Sequence, residues 1–330
     1  MNEVKSRKIN WQGLLSTNSS EYFVAICLIV VCILLSIVSP AFLSGKNILN
    51  ILVQTSINSI VAIGMTLVVL TSGIDLSVGS VVALTGVSVG ISFVAMGSDI
   101  TNTGIGLACI LIGLVVGAIT GFFNGILIAQ IKMPPFIATL GSMSIARGLG
   151  LMMSNGSTTV GLPNVIGFLG SGRIGFIYTP IVLMLILYGV FWWILRYTKF
   201  GRNIYAIGGN MEAAKLSGIK VKKTLLGVYV LSGICASIAA IVLIGRLNSA
   251  SPTAGKSYEM DAIAATVIGG TSMNGGEGKI IGTLVGALFI AVLRNGLNLL
   301  NVSSYSTEIF VGVLIVVAVM MDTIRQSKNA

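Results

Sequence analysis

The chain has 330 residues, 55% apolar and only 9% charged, with a mean hydropathy of +0.97 and a formal net charge of +10. No soluble domain of this length hides so much apolar surface behind so few charges, so the fold class expected is all-α: a polytopic membrane helix bundle, one domain over 1–330. With no His, imidazole metal sites and His-based acid–base catalysis are excluded. Cys27, Cys32, Cys109 and Cys235 lie singly in apolar runs, without metal-ligand spacing or a disulfide framework.

Lys5, Arg7 and Lys8 precede an apolar run from Tyr22 to Val38. That run is longer than a signal-peptide core and no convincing small-residue cleavage site follows it, so it reads as a retained first span. Crossing about 30 Å of hydrocarbon takes about 20 largely apolar residues. On that basis ten spans are expected, near 22–40, 48–70, 78–97, 105–131, 135–153, 179–196, 225–245, 261–273, 280–298 and 306–323. The eighth is short and Gly-rich (Val267-Ile-Gly-Gly-Thr271), which leaves open a broken or re-entrant helix and a count of nine. With the N-terminus inside, fourteen Lys and Arg fall on inner segments, among them the run Lys220, Lys222 and Lys223. Only Lys46, Arg173, Arg246 and Lys256 fall on outer ones, as the positive-inside rule requires. The basic balance then needs no nucleic-acid partner. The tail 1–21, the loop 197–224 and the tail 324–330 are expected on the cytoplasmic side.

Small-residue spacing at Gly113, Gly117 and Gly121, and at Gly282 and Gly286, predicts closely approaching helices. Pro134-Pro135 marks the start of the fifth span. Two inner breaks look alike: Thr71-Ser-Gly-Ile-Asp-Leu-Ser-Val-Gly79 and Thr271-Ser-Met-Asn-Gly-Gly-Glu-Gly278. Each begins Thr-Ser, carries one carboxylate and leads into an apolar helix, the pattern that a duplication leaves.

Asp75 is expected to cap the third span as its N-cap at the membrane's inner edge, with shaping of an inner gate as the functional reading. Arg147 and Arg294 fall in the outer third of their spans. Either they snorkel to the outer headgroups, or with Arg246 and Lys256 they offer positive charge to an acidic docking surface. Asn58, Thr66, Thr71, Thr85, Thr120, Asn124, Ser142, Thr266, Asn295 and Asn298 are uncharged and dispersed. They suit helix–helix hydrogen bonds, and a subset (Asn58, Thr66, Thr71, Asp75, Asn124, Thr266, Asn295, Asn298) is the candidate path or gate for a polar solute. There is no chain of buried carboxylates of the kind an ion-driven carrier uses.

The longest polar interruption, 197–224, holds one short helix with both ends marked. Asn210 is the N-cap, Glu212 lies in the first turn, Ala213 and Ala214 favour helix, and Gly218 ends it. A helix over Met211–Ser217 is too short to stand alone, so it needs a groove on another protein to lie against. No phosphate-cradling loop is present: Gly45-Lys46, Gly255-Lys256 and Gly278-Lys279 all lack the Gly-x4-Gly-Lys-Ser/Thr frame. If ATP drives this chain, another subunit binds it.

Five segments in order, 64–79, 135–140, 201–219, 252–265 and 295–305, resemble the membrane permease subunits of bacterial ABC sugar importers. The resemblance runs from about Ser39 to Asp322. It implies two permease subunits around one path, most simply a homodimer, with cytoplasmic ATPases holding ATP and Mg and an external sugar-binding protein. The chain itself is then no enzyme, with no catalytic residue, metal or cofactor of its own. The resemblance makes Met211–Ser217 a coupling helix. Gly208, Gly209, Glu212, Ala213, Ala214, Leu216 and Gly218 carry over position by position, and Asn210 and Lys215 lie among them. It implies a monosaccharide cargo, ribose favoured. Xylose, galactose or a galactoside, and a furanosyl signalling compound are alternatives within the family; an ion-coupled carrier, a channel and an intramembrane enzyme are rivals outside it.

Overall fold

The computed structural model describes residues 19–329. The basic residues Lys5, Arg7 and Lys8, on which part of the orientation argument rests, lie outside them. The helices are α1 (Ser19–Val38), α2 (Gly45–Leu70), α3 (Val78–Ala95), α4 (Thr103–Ala129), α5 (Pro135–Ser154), α6 (Asn164–Ser171), α7 (Thr179–Tyr197), α8 (Lys199–Gly209), α9 (Met211–Leu216), α10 (Val221–Leu247), α11 (Tyr258–Ile268), α12 (Ile280–Leu299) and α13 (Ser304–Asn329). Four two-residue strands, absent from the all-α expectation, join loops in two antiparallel ladders. They are β1 (Thr159–Val160) with β4 (Ser249–Ala250), and β2 (Arg173–Ile174) with β3 (Ile177–Tyr178).

Seven helices among the described residues (α2, α3, α4, α5, α7, α10, α12) are long and apolar enough to cross a membrane, and Val24–Val38 and Ser304–Met320 are shorter apolar stretches. Local chemistry sets their ends. Ser44 Oγ accepts the Asn47 amide at the start of α2, and Asn102 Oδ1 accepts the Ile105 amide at the start of α4. Pro135 occupies the first turn of α5, and Asn155 and Asn248 end α5 and α10 in left-handed conformations.

α2 is buried along most of its length, with α7, α10, α11 and α12 packed around it. α4, α5 and α7 turn apolar faces outward, including Leu111, Val115, Ile119, Ile137 and Ile186. The glycine spacing works as expected: a Cβ at Gly117 would strike Ser237 and the Gly233 carbonyl, and one at Gly286 the Ala265 carbonyl. Only small residues lie between the backbones there, which lets the helices approach closely.

Cross-contacts give the depth of each break. Asp75 bonds Ser232, which stands eleven residues into α10, about 16 Å from the end that follows α9. So α3 begins well inside the bundle, and Asp75 is not at its edge. α11 is likewise partial. Gly269 abuts Gly282, Ala265 abuts Gly286 and Asp261 bonds Arg294, so its 11 residues run beside α12 from Gly282 to Arg294 and stop short of its C-terminal end. The short eighth span is therefore a half-helix, entered by an irregular segment, 251–257, that descends from β4.

Candidate functional site

The loop 197–224 carries two helices, where the sequence reading expected one. α8 starts where Thr198 Oγ1 accepts the Gly201 amide at 3.1 Å, and buries Ile204 and Ile207. α9 follows as expected. Asn210 Oδ1 accepts the Ala213 amide at 2.9 Å, and Gly218 leaves the helix at φ +81°. Glu212 and Lys215 form a loose exposed pair at 3.9 Å. Of the α9 side chains only Ala214 is buried (4% exposed), against Ala129, Ile207 and Leu225. Met211, Glu212, Ala213, Lys215 and Ser217 face outward, and Leu216 stands 89% exposed. A fully exposed Leu on a six-residue helix has nothing in its own chain to lie against.

The C-terminal end of α8 is wedged between the two breaks that the sequence shows to be alike. The Gly276 amide donates to the Leu70 carbonyl at 3.0 Å, tying the 269–279 break to the end of α2. Ser72 Oγ donates to the Asn274 carbonyl at 2.6 Å and lies 3.4 Å from the Gly208 carbonyl. Tyr205 Oη donates to the Gly278 carbonyl at 2.9 Å. Burial raises the Tyr205 pKa, which keeps that hydroxyl a donor. Gly208 is required at this join, because a Cβ there would overlap the Leu70 carbonyl and the Gly276 amide. Gly209 touches Gly276 from the other side, with its own Cβ direction open.

Asp75 lies in a second, buried polar cluster. Its Oδ1 accepts the Ser77 amide at 3.0 Å and the Ser77 hydroxyl at 2.6 Å, and its Oδ2 accepts the Ser232 hydroxyl at 2.9 Å. Asn124 Nδ2 donates to Ser77 Oγ at 2.9 Å. The N-cap position of α3 belongs to Ser77, so Asp75 closes a turn two residues ahead of the cap expected of it. The other candidate path residues are scattered through the core. Thr66 Oγ1 meets Thr283 Oγ1 at 2.8 Å and Thr266 Oγ1 at 3.5 Å, joining α2, α11 and α12. Thr71 bonds the Val68 carbonyl. Asn295 and Asn47 exchange two amide bonds of 2.9 and 3.0 Å, and Asn298 is exposed at the end of α12.

The four cations expected at an outer docking surface lie around residues 252–261, and three of them are engaged within the chain. Arg147 Nη1 donates to the Pro252 and Ala254 carbonyls, both at 2.9 Å, holding the descending segment. Arg294 grips Asp261 Oδ1 through Nε at 3.2 Å and Nη2 at 2.6 Å, and Asn58 reaches Asp261 Oδ2 at 3.3 Å. Arg246 bonds Asn50 near the β4 end of the bundle, and Lys256 is exposed on the descending segment. Asp261 escaped the sequence reading. Its signal is Arg294, a cation within an apolar helix that needs a counter-ion. Asp75 and Asp261 are two buried carboxylates, each separately satisfied and so no relay.

Among the described residues no group of three or more His, Cys, Asp or Glu side chains is placed to hold a metal. A stack of apolar helices with internal breaks, joined to an outward-facing helix on a surface loop, has the build of a multi-pass helical membrane protein. Residues 47–319 match the family described as branched-chain amino acid transport system / permease component, and the chain belongs to it. It is 47% identical over 306 residues to the ribose import permease protein RbsC of Escherichia coli K12, covering 91% of this chain and 93% of that protein. To the protein of that name in Bacillus subtilis 168 it is 46% identical over 297 residues (89% and 90%). The D-allose transport system permease protein AlsC of Escherichia coli K12 is 39% identical over 295 residues (89% and 88%).

Proposed function

We propose that this chain is the membrane-spanning permease subunit of an ATP-driven importer, with D-ribose as its cargo. Relatives named for ribose, allose, fructose and xylose support a monosaccharide, and the identity to those named for ribose favours that sugar. One observation carries the mechanism: an outward-facing α9 continuous with an α8 whose end is clasped by both helix breaks. A cytoplasmic ATPase that moves α9 thereby moves the ends of α2, α3, α11 and α12 together, which converts an outward-open path to an inward-open one.

In this reading α9 and both chain ends are cytoplasmic. The backbone makes ten passes, with 251–257 and α11 completing one of them. Two copies enclose the path, a separate subunit hydrolyses ATP with Mg, and an external binding protein delivers sugar. The test is reconstitution with that ATPase and binding protein, followed by uptake of labelled ribose, allose, fructose and xylose. ATP-dependent uptake with ribose preferred is expected. Uptake driven by an ion gradient without nucleotide would overturn the reading in favour of a secondary carrier.

A further inference from the structure

The segment 251–257 sets a charged side chain at mid-depth on the face of the chain. Ala250 lies level with Gly90 near the far end of α3, its Cβ 3.1 Å from where a Gly90 Cβ would stand. Five residues later Gly255 meets Gly79 at the start of α3, where a Gly255 Cβ would lie 2.6 Å from the Gly79 carbonyl oxygen. Gly79 to Gly90 is about 16 Å of helix. Asp75, four residues before Gly79, is level with Ser232, itself about 16 Å from the other end of α10. Lys256, next to Gly255, is therefore about equally far from both surfaces, deeper than a four-carbon stem can snorkel out of.

Lys256 and Thr253 are exposed there, and Glu259 in the first turn of α11 is half-buried within electrostatic reach of Arg147. Charged groups at this depth face a water-filled cavity or a partner, not lipid. The descending segment is anchored for the purpose: Arg147 fixes two of its carbonyls, and Ser257 holds a left-handed φ of +67° at the entry to α11. Hydroxyl, ammonium and carboxylate in one short stretch supply both donors and acceptors, the chemistry that recognises a neutral polyol.

We propose that Thr253, Lys256 and Glu259 form a contact site for the hydroxyls of the transported sugar, midway along the path. This rests on the permease reading and gives it a place where specificity is set. The test has two arms, both in the reconstituted complex. First, Lys256→Cys is exposed to a membrane-impermeant thiol reagent beside Ile119→Cys, whose parent side chain faces outward from mid-α4, with background from the native cysteines read on the unmodified protein. Reaction at 256 and none at 119 is expected; equal inertness overturns the proposal. Second, Lys256→Gln and Thr253→Val should each lower sugar uptake about tenfold, one charge-assisted or neutral hydrogen bond lost, while ATP hydrolysis stimulated by the binding protein persists. Lys256→Arg should retain most uptake. Unchanged uptake in both first variants overturns the sugar contact. Failure of the unmodified complex to import any sugar with ATP would sink the permease reading instead, and the labelling arm would still decide whether position 256 faces water.

Discussion

Asp261 and Arg294 make the most consequential single pair in the bundle. The carboxylate is nearly inaccessible, and the guanidinium closes on it through two nitrogens. Removing one member of such a pair leaves an uncompensated charge, at a cost of about 3–5 kcal/mol, whereas replacing both with neutral groups avoids that penalty. We expect Arg294→Gln to lower the thermal midpoint of the purified protein sharply, and the double variant Asp261→Asn/Arg294→Gln to recover much of it. An unchanged midpoint in the single variant would remove the pair from any structural role. Nothing local signals this contact, because the two residues are 33 apart in sequence and each reads as an isolated charge. The same isolation made Arg147 look like a surface cation. Only the descent of 252–254 puts carbonyls within its reach.

The loop helices divide labour by face. Leu216 points away from the chain and Ala214 into it, so substitutions two residues apart should fail differently. Leu216→Glu should leave insertion and thermal stability near those of the unmodified protein while weakening co-purification of the ATPase about tenfold or more, the burial of one Leu being worth about 1.5–3 kcal/mol. Ala214→Leu should instead cost about 1–3 kcal/mol of stability by overpacking Ala129, Ile207 and Leu225. Equal ATPase retention by the unmodified and Leu216→Glu proteins would take α9 out of the interface. α9 was legible because Asn210, Glu212 and Gly218 are local end signals. α8 was hidden by Gly201, Gly208 and Gly209, poor helix formers held helical by packing, although Thr198 as N-cap and the spacing of Phe200, Ile204 and Ile207 are visible once sought.

For the molecule as a whole, the positions of the seven long apolar helices are readable to within a few residues, since hydropathy reports which segments leave water. It does not report how deep a segment stops. Hydropathy alone sets Asp75 at an edge and leaves α11 undecided, because it treats every helix as beginning at a surface; cross-contacts such as Asp75 with Ser232 and Gly255 with Gly79 supply the missing coordinate. Sidedness remains the property to measure directly. Cysteines introduced at Asp99 and at Leu216 should react with impermeant reagents from opposite sides of sealed vesicles, the Leu216 position from the cytoplasmic one. Labelling of both from the same side would invalidate the proposed arrangement.

At the join of Gly208, Gly276 and Leu70 the closest approaches are between main-chain atoms, braced by the Ser72 and Tyr205 hydroxyls. Such a splice has no rotamers in which to take up slack. Under the proposed coupling it would serve as a stiff tie rod, passing a stroke received at the protruding peg to both interrupted segments in step.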